Sequence, residues 1–495
     1  MRRVALWFTV VLPLVFSACK HEIPVPVVAE SGFPDAIEKI IVTKCATAGC
    51  HNLGSYANAG GLLLDSWSHM FDGGSNGAVA IPYSPEYSSL LYFVNTDSSL
   101  GPVAQPTMPK DAAPLSRDEY MALRDWIAAG APDKDGNIPF GSNAGTRQKL
   151  YLTMQACDVI AVIDADKKVV MRYIKVGADD SRAEVAHAVR FTHDGRYAFV
   201  TFTLGNIVQK IDASTDQIVS TIKLDENPNN AQWNVVQPNA DGSRFVVSDM
   251  VGNRLLYYDY DNNYKFAMTS LNTAHGIVAN DEFNSFYVTQ QIGNNIYKVN
   301  MSPENPFPDF ETINIKPESD SANPHEIIMT PDKSKLFISC QASDEIRVVS
   351  TATNALVTDQ PYTINVGRKP QELAISTKMP YLFVTCMEQP LPEFSTSQVK
   401  FRGSIYVINY MTNTVVKEIR GRFASPHGIT VDDKNNVFYF ASTNIDPNGP
   451  APHHVSSCGG SNGYYQVYDM TTLEPANNKR YEVLPFPYSY DTRFK

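Results

Sequence analysis

Two cysteines and a histidine lie close together early in the chain, in the order Cys45, four residues, Cys50, His51. Two thiols ahead of an imidazole are what two thioether bonds to a haem and one axial iron ligand require. The spacing departs from the common pattern, in which two residues separate the cysteines. Two other chemistries stay open: a zinc site, one ligand short unless His69 joins it, and a plain disulfide between the two cysteines.

A haem iron needs a second axial ligand, and three methionines lie between residues 51 and 138. Met108, followed by Pro109, lies at a distance along the chain suited to a loop ligand that approaches iron from the far side. Met70 lacks a following proline, and Met121 lies on the apolar side of a predicted helix, where a core role is more common. We therefore predict Met108 as the ligand, and a His and Met pair raises the reduction potential.

One helix is predicted from capping and periodicity. Residues 116–131 begin with Ser116 and Glu119 in capping-box form, continue with an apolar face and reach a stop at Gly130. A small haem domain needs such a closing helix to pack against the helix that bears its cysteines.

Together these features resemble a class I cytochrome c domain of the environmental-bacterial type, over residues 33–138. Residues 60–65 and 126–131 resemble internal motifs of that group. The resemblance implies an all-α domain, one covalent haem c and a role in electron transfer. The longer cysteine spacing is the departure, and it bears on which maturation machinery attaches the haem. The implied cofactor positions are Cys45, Cys50, His51 and Met108.

Beyond a linker at residues 139–148, the chain changes to short β-branched and aromatic runs separated by Asp, Asn and Gly turns. One strand type recurs seven times, and most copies precede a second strand, at the period of about forty to fifty residues typical of propeller blades. The copies are residues 150–153, 198–201, 245–248, 286–289, 336–339, 382–385 and 438–441.

The repeat resembles the YVTN family of β-propellers over residues 149–495, which implies an all-β, seven-bladed propeller. The predicted fold class is therefore multidomain, with a small all-α domain followed by the propeller. The first copy stands where the second strand of a blade belongs, so we expect residues 488–494 to close the ring as an inner strand. Separate hairpins are the alternative, and they would leave strand edges exposed.

The entry of the innermost strand carries a polar residue in the last six copies, fourteen residues before the repeated strand ends. Innermost strands line the central channel, so we expect these side chains to converge near its axis. Imidazoles placed this way can bind copper, iron, zinc or an anionic ligand. The alternative is hydrogen bonding to the backbone of a neighbouring blade, and the two amides weigh against a metal. The residues are His187, Asn234, His275, His325, Gln371 and His427.

The N-terminus has the order of an export signal, with basic residues, an apolar run at residues 4–16 and small residues before Cys19. The run is too short to cross a bilayer as a mature helix. Small residues directly before a cysteine resemble the lipobox of bacterial lipoproteins. This implies removal of residues 1–18, a lipid on Cys19 and a proline-containing tether at residues 19–32. The alternative is an ordinary signal peptide with an incidental cysteine.

Composition narrows the class of protein. With 495 residues, 43% of them hydrophobic, the chain exceeds one ordinary core and fits at least two domains. The net charge of −11 excludes nucleic acid as an expected partner, since that partner needs a basic surface. An exported lipoprotein would be anchored to a membrane on the periplasmic side or at the cell surface.

Four of the seven cysteines remain after lipid and haem attachment, and they could pair in an oxidising compartment. We predict a disulfide between Cys157 and Cys458, which lie in corresponding loops of blades that ring closure makes neighbours. A bond between Cys340 and Cys386 is a second candidate, limited by the separation of adjacent blades.

Two functions fit this organisation. In the first, the haem passes electrons to or from a second metal or redox centre in the propeller channel, as in an oxidoreductase. In the second, the propeller binds a protein or small ligand and the cytochrome serves only as an electron carrier. Both need a redox partner protein or a small-molecule electron donor or acceptor. No catalytic residue is predicted, and the adjacent His453 and His454 are expected to be solvent-exposed.

Overall fold

The computed structural model describes residues 30–225, 231–302, 305–317, 321–388, 402–444, 458 and 460–495. The predictions for residues 1–18, Cys19, most of the tether, and His453 with His454 lie outside the described residues. None of the described helices is long and apolar enough to cross a membrane.

The helices of the described chain precede residue 148. Their lengths are short, and loops and 3-10 turns connect them. They are α1 (Asp35–Lys44), α2 (Trp67–Met70), α3 (Ser89–Val94) and α4 (Arg117–Ala128), with 3-10 turns at Tyr56–Asn58, Pro85–Tyr87 and Ser98–Leu100.

Helix α4 is the one predicted from sequence, and its boundaries have the predicted causes. Ser116 and Glu119 form a complete capping box, and Gly130 has a φ of 99°, a left-handed value that ends the helix. Tyr120, rather than Met121, completes its buried face. Helix α1 packs against α4 with its isoleucines, and the last residue of α1, Lys44, pairs with Glu119 at 2.5 Å.

The strands begin at Lys149, and every described sheet is antiparallel and contains four or five strands. The first fifteen strands are β1 (Lys149–Met154), β2 (Val159–Asp164), β3 (Val170–Lys175), β4 (Ala186–Phe191), β5 (Tyr197–Phe202), β6 (Ile207–Asp212), β7 (Gln217–Lys223), β8 (Trp233–Pro238), β9 (Arg244–Asp249), β10 (Arg254–Asp259), β11 (Tyr264–Thr269), β12 (Ala274–Ala279), β13 (Ser285–Gln290), β14 (Asn295–Ser302) and β15 (Asn305–Asn314).

In the later strands too, except the last one, each blade runs from its inner strand to its outer strand in chain order. They are β16 (Pro324–Met329), β17 (Lys335–Cys340), β18 (Glu345–Ser350), β19 (Ala355–Leu356), β20 (Thr363–Asn365), β21 (Arg368–Ile375), β22 (Tyr381–Glu388), β23 (Arg402–Asn409), β24 (Thr414–Ala424), β25 (Pro426–Asp432), β26 (Val437–Ser442), β27 (Asn462–Asp469), β28 (Tyr481–Pro485) and β29 (Pro487–Thr492).

These strands form the seven sheets of a seven-bladed β-propeller, as predicted. Each of the seven repeated segments is the second strand of a blade, and the blades are numbered 1 to 7 in the order of these segments along the chain. The first blade has the order β29, β1, β2, β3, so the C-terminal strand closes the ring from inside, again as predicted. Strand β29 runs antiparallel to β1, with Leu152 opposite Tyr490.

Burial along the strands explains their composition. Strands β1 and β2 are buried at every position because neighbouring blades cover both faces, so they show continuous apolar runs. The outer strand β7 alternates between exposed and half-buried positions, which is the pattern of a strand with one face in solvent.

A disulfide joins the two ends of the propeller. Cys157 in the β1–β2 loop bonds to Cys458, with the Cα atoms 5.3 Å apart, and this confirms the predicted pairing across 301 residues of chain. Cys340 and Cys386 are buried free thiols and do not form the second candidate bond.

The helical segment, which is residues 30–148, packs on the outside of blades 1 and 7. The amides of Arg480 and Glu482 donate to the carbonyls of Ser75 and Asn76 at 3.1 and 2.9 Å. The edge of strand β28 is thereby covered, which removes an unpaired strand edge. A Cβ on Gly77 would lie 3.3 Å from the Tyr481 ring, so a larger residue would push the two parts of the chain apart.

Candidate functional site

The cysteine segment begins where helix α1 ends. Cys45 directly follows Lys44, and a tight turn then returns the chain, with the His51 amide donating to the Cys45 carbonyl at 3.1 Å. Gly49 has a φ of 83°, a value that glycine adopts without strain. The turn accommodates the four residues between Cys45 and Cys50, and it brings both cysteines and His51 to one wall of a cavity.

The cavity has a volume of about 980 Å³, at the upper end of the range of about 300–1,000 Å³ for ligand and cofactor sites. All four predicted cofactor positions line it, although Met108 is 57 residues beyond His51 in the chain. The lining also includes apolar residues of the helical segment such as Leu62 and Val79. The four positions are Cys45, Cys50, His51 and Met108.

Hydrogen bonding orients His51. Its Nδ1 lies 3.1 Å from the carbonyl oxygen of Leu62, which accepts a hydrogen from that nitrogen. The neutral ring then keeps an unprotonated Nε2, the state that an axial metal ligand needs. Met108 is held by its own backbone, because its amide donates to the Phe93 carbonyl at 2.7 Å.

The competing ligands lie elsewhere. Met70 is buried in the core of the helical segment, Met121 packs at its margin, and neither lines the cavity. His69 lies 2.6 Å from Asp65 and does not line the cavity with the cysteines. Cys45 and Cys50 are free thiols, so the plain disulfide is not formed. Burial, with a smaller contribution from Cys50, raises the pKa of the Cys45 thiol to about 11.

Part of the wall of this cavity belongs to the propeller. Strand β3 contributes Val170 and Tyr173, and strand β28 contributes Glu482 and Leu484. The ring of Tyr173 lies against Tyr87 of the helical segment, with centroids 5.1 Å apart. Sequence reasoning missed this wall, because no local pattern links the outer strands of blades 1 and 7 to residues 45–108.

The second candidate site lies in the propeller channel. The inner strands bring the predicted polar residues together, and strand β29 adds Tyr488 as the seventh member, which sequence counting missed. The distances between ring centroids are 4.5 Å for Tyr488 and His187, 6.0 Å for His187 and His275, 4.4 Å for His275 and His325, 5.8 Å for His325 and His427, and 3.6 Å for His427 and Tyr488.

Hydroxyl groups fix the backbone of this ring. In six of the repeated strands the final residue is Thr or Ser, and its hydroxyl donates to the carbonyl of the ring residue in the next blade at 2.5–2.9 Å. The seventh repeat ends in Ala441 and has no such hydroxyl. The donors are Thr153, Thr201, Ser248, Thr289, Ser339 and Thr385.

Two of the channel histidines bond to the next blade through Nδ1, as the backbone alternative expects. His275 Nδ1 lies 3.1 Å from the His325 carbonyl, and His427 Nδ1 lies 3.1 Å from that of Tyr488. Glycine follows both histidines, and a Cβ on Gly276 or Gly428 would lie 2.7 or 2.4 Å from the same carbonyl oxygen. A His-Gly pair is therefore the sequence signal for a pinned ring with a free Nε2.

The other two histidines differ. The side-chain amide nitrogen of Gln155 lies 2.9 Å from His187 Nδ1, which accepts its hydrogen, so the proton of the His187 ring is on Nε2. His325 faces the backbone of Gln371, but its Nδ1 makes no well-aligned hydrogen bond.

Burial keeps these rings neutral. It lowers the pKa of His275 to about 4 and that of His427 to about 3, and it holds the pKa values of His187 and His325 well below the ordinary value. At pH 7 their lone pairs are therefore available to a metal or a hydrogen-bond donor.

A charged layer lies beside the histidines, and sequence reasoning missed it. Glu326 and Glu372 directly follow ring residues and are each 5% exposed. Arg190 lies between them, 3.9 Å from Glu326 and 3.4 Å from Glu372, and it also donates to the Ser489 hydroxyl at 2.9 Å. Burial raises the pKa values of both carboxyls. The signal in the sequence was the presence of Arg190, Glu326 and Glu372 in inner strands whose other residues are mostly uncharged.

Within the described part of the chain, one group of three His, Cys, Asp or Glu residues has the geometry of a metal site. It consists of His275, His325 and Glu326, each with a ligand atom within 4.8 Å of the others. An unpaired buried polar group costs about 1–3 kcal/mol, and both His325 Nδ1 and Glu326 Oε1 are of this kind.

Comparison with known proteins finds similarity only at the level of solved structures. No protein-family model matches the chain, and no curated protein matches it. Hydrazine synthase of Kuenenia stuttgartiensis is 13% identical, with 64% of this chain and 90% of that chain covered and a TM-score of 0.47. A functionally unknown protein from Desulfotomaculum acetoxidans is 11% identical, with 68% and 99% covered and a TM-score of 0.48.

A third solved structure, dihydro-heme d1 dehydrogenase NirN in complex with DHE, covers more of the chain. It is 14% identical, with 85% of this chain and 95% of that chain covered and a TM-score of 0.44. These similarities are too distant to transfer an activity to this chain, so its function has to be inferred from its own residues.

Proposed function

We propose that this chain is an exported electron-transfer protein that binds one covalent c-type haem between the helical segment and the propeller. The observation that carries the proposal is the shared cavity of about 980 Å³ lined by Cys45, Cys50, His51 and Met108. Two thiols, an imidazole and a thioether are the donor set of such a haem, and they come from two separate stretches of chain.

Each of the four residues has a defined role in this proposal. Cys45 and Cys50 would tether the haem, His51 would bind its iron through Nε2 because the Leu62 carbonyl holds its Nδ1, and Met108 would provide a sulfur ligand. When bound, the haem iron supplies a one-electron couple. Val170 and Leu484 of the propeller wall exclude water from the cavity, and exclusion of water is one of the protein's means of tuning a redox potential.

Export and membrane anchoring belong to the same proposal. The disulfide between Cys157 and Cys458 supports it, since such bonds form and persist in oxidising compartments. Lipid attachment at Cys19 predicts that the wild-type chain takes up labelled fatty acid and that Cys19→Ser does not. Uptake by the serine variant would remove the anchor from the proposal.

Covalent haem attachment is tested by removing both cavity thiols. The Cys45→Ser, Cys50→Ser double variant is expressed in a host that matures c-type cytochromes and is stained for haem after denaturing electrophoresis. We expect loss of the stained band, because no thioether bond can form. The matched control is Cys340→Ser with Cys386→Ser, which removes two free buried thiols far from the cavity and should keep the stain. Staining of the first variant at the wild-type level would overturn the proposal.

The alternative, a propeller that serves only as a binding module beside an electron carrier, uses the same haem. The two functions differ in what the channel binds: a metal or redox centre in the first, and a protein or small ligand in the second. Both need a redox partner protein or a small-molecule electron donor or acceptor.

A further inference from the structure

The side chains of the channel site are of the types that bind first-row transition-metal ions. His275, His325 and Glu326 offer two imidazole nitrogens and one carboxylate oxygen, and none of these side chains is more than 6% exposed. Ligands of this mixed type suit first-row divalent ions such as Zn²⁺, Fe²⁺ or Co²⁺ better than Ca²⁺ and Mg²⁺, which prefer oxygen, or Cu⁺, which prefers sulfur.

The hydrogen bonds around the three residues leave ligand atoms unused. Glu326 Oε1 is buried without a hydrogen-bond partner and lies 3.8 Å from Nδ1 of His275, which donates to the His325 carbonyl. The second oxygen of Glu326 faces Arg190 at 3.9 Å, which orients the carboxylate. His325 Nδ1 also lacks a hydrogen-bond partner. Buried polar atoms are normally satisfied by a hydrogen bond or a ligand, so these two atoms remain available to bind an ion.

The charge around the site also favours a cation. Arg190 is the guanidinium between two buried carboxyl groups, Glu326 and Glu372, and the nearby Asp491 carboxylate pairs with Lys495 at 2.7 Å. Arg190 lies closer to Glu372 than to Glu326, so a metal ion would supply the positive charge that an ionised Glu326 lacks.

We propose that the propeller channel binds one divalent first-row transition-metal ion through His275, His325 and Glu326. The three ligand atoms lie within 4.8 Å of one another, and bonds of about 2.1 Å set ligands about 3.4 Å apart. Because His275 is held through its Nδ1, rotation of His325 and Glu326, which have unpaired buried atoms, would close the site on the ion. His187 stays outside the ligand set because its Nε2 carries the hydrogen. His427 stays outside because it is not among the residues whose ligand atoms lie within 4.8 Å of one another.

The chain itself offers conservative variants for a test. Glutamine already occupies the ring position of blade 6 as Gln371, so His275→Gln and His325→Gln place a side chain that this ring accommodates. Glu326→Gln has a matched control in Glu372→Gln, the same change at the equivalent position one blade away, beside the same arginine. His427→Gln is the matched control for the histidines.

Zinc is the probe, because haem iron would obscure a measurement of iron. The full chain with its haem is stripped with a chelator, dialysed against Zn²⁺ and analysed for metal per chain. We expect one tightly held Zn²⁺ in the wild type, in Glu372→Gln and in His427→Gln. Loss of an outer-shell partner alone costs about 10–100-fold in metal affinity, so each triad variant should lose at least that factor.

A second measurement does not depend on how the variants fold. X-ray absorption at the zinc edge of the wild type should show two imidazole nitrogens and light oxygen ligands. A sulfur shell, an all-oxygen shell, or no zinc retained would overturn the proposal. Zinc held with wild-type affinity by folded triad variants would place the ion elsewhere and overturn it as well. Haem staining of the same variants keeps this result separate from the haem proposal.

Discussion

The two candidate sites of this protein are built in opposite ways. The cysteine cavity takes three of its four predicted cofactor positions from one turn of seven residues, whereas the channel ring takes each of its seven members from a different blade. The cavity lies where two parts of the chain meet, and the channel residues lie inside one part. A site of the first kind can be recognised from spacing, while a site of the second kind depends on how every blade is placed.

The sites nevertheless share one device. His51 and the two His-Gly histidines each bond through Nδ1 to a backbone carbonyl at 3.1 Å. This bond fixes the ring and leaves Nε2 as an acceptor, which is how metal-binding histidines are commonly oriented. Hydrogen bonding to a neighbouring blade and ligation of an ion are therefore compatible roles for one histidine.

The largest expected effect is on the stability of the propeller, which holds the channel, and it comes from the disulfide that helps to close the ring of blades. Replacing Cys157 and Cys458 by serine frees the ends of a loop of 301 residues, and removal of a native disulfide costs about 2–5 kcal/mol. We expect a lower midpoint of thermal unfolding in the variant than in the wild type. Reductant should lower the wild-type midpoint and leave that of the variant unchanged. Equal midpoints without reductant would show that strand β29 alone secures closure.

The next effect is specific to the channel. Burial lowers the pKa of His427 to about 3, below the value of about 6.5 in an unfolded chain. The neutral ring therefore contributes stability that is present above pH 6.5 and is lost as the pH falls towards 3, by about 1.4 kcal/mol per unit. Urea unfolding of chelator-treated protein at pH 6.5 and 4.5 should show a smaller loss for His427→Gln than for the wild type. The same loss in both would place the acid sensitivity at other groups.

The smallest effect is specific to the cavity. If the cavity holds the proposed haem, Met108→Ala should lower its reduction potential, because a thioether ligand raises that potential. We expect a change above about 59 mV, which is tenfold in a one-electron equilibrium. A redox titration followed by optical absorption measures this change. Met121→Ala is the control, since Met121 does not line the cavity and should leave the potential unchanged. A shift in the control alone would exchange the roles of the two methionines.

Much of the fold could be predicted because its signals lie in short stretches of the sequence. Seven repeats of one strand type gave the seven blades, and the position of the first repeat gave the closing role of β29. Helix α4 has its capping box and glycine stop within sixteen residues, and the disulfide followed from equivalent loops in adjoining blades. In each case the signal lies in consecutive residues or in a fixed period.

The sequence by itself determined the blades, the closing helix, the cysteine turn and the polar positions that enter the channel. Only the tertiary structure decided that Tyr488 completes the ring, that Glu326 joins two histidines and that the propeller forms a wall of the cavity. Periodicity and capping are short-range and act between residues close in the chain. Convergence of side chains depends instead on blade register and ring closure, which join residues hundreds of positions apart.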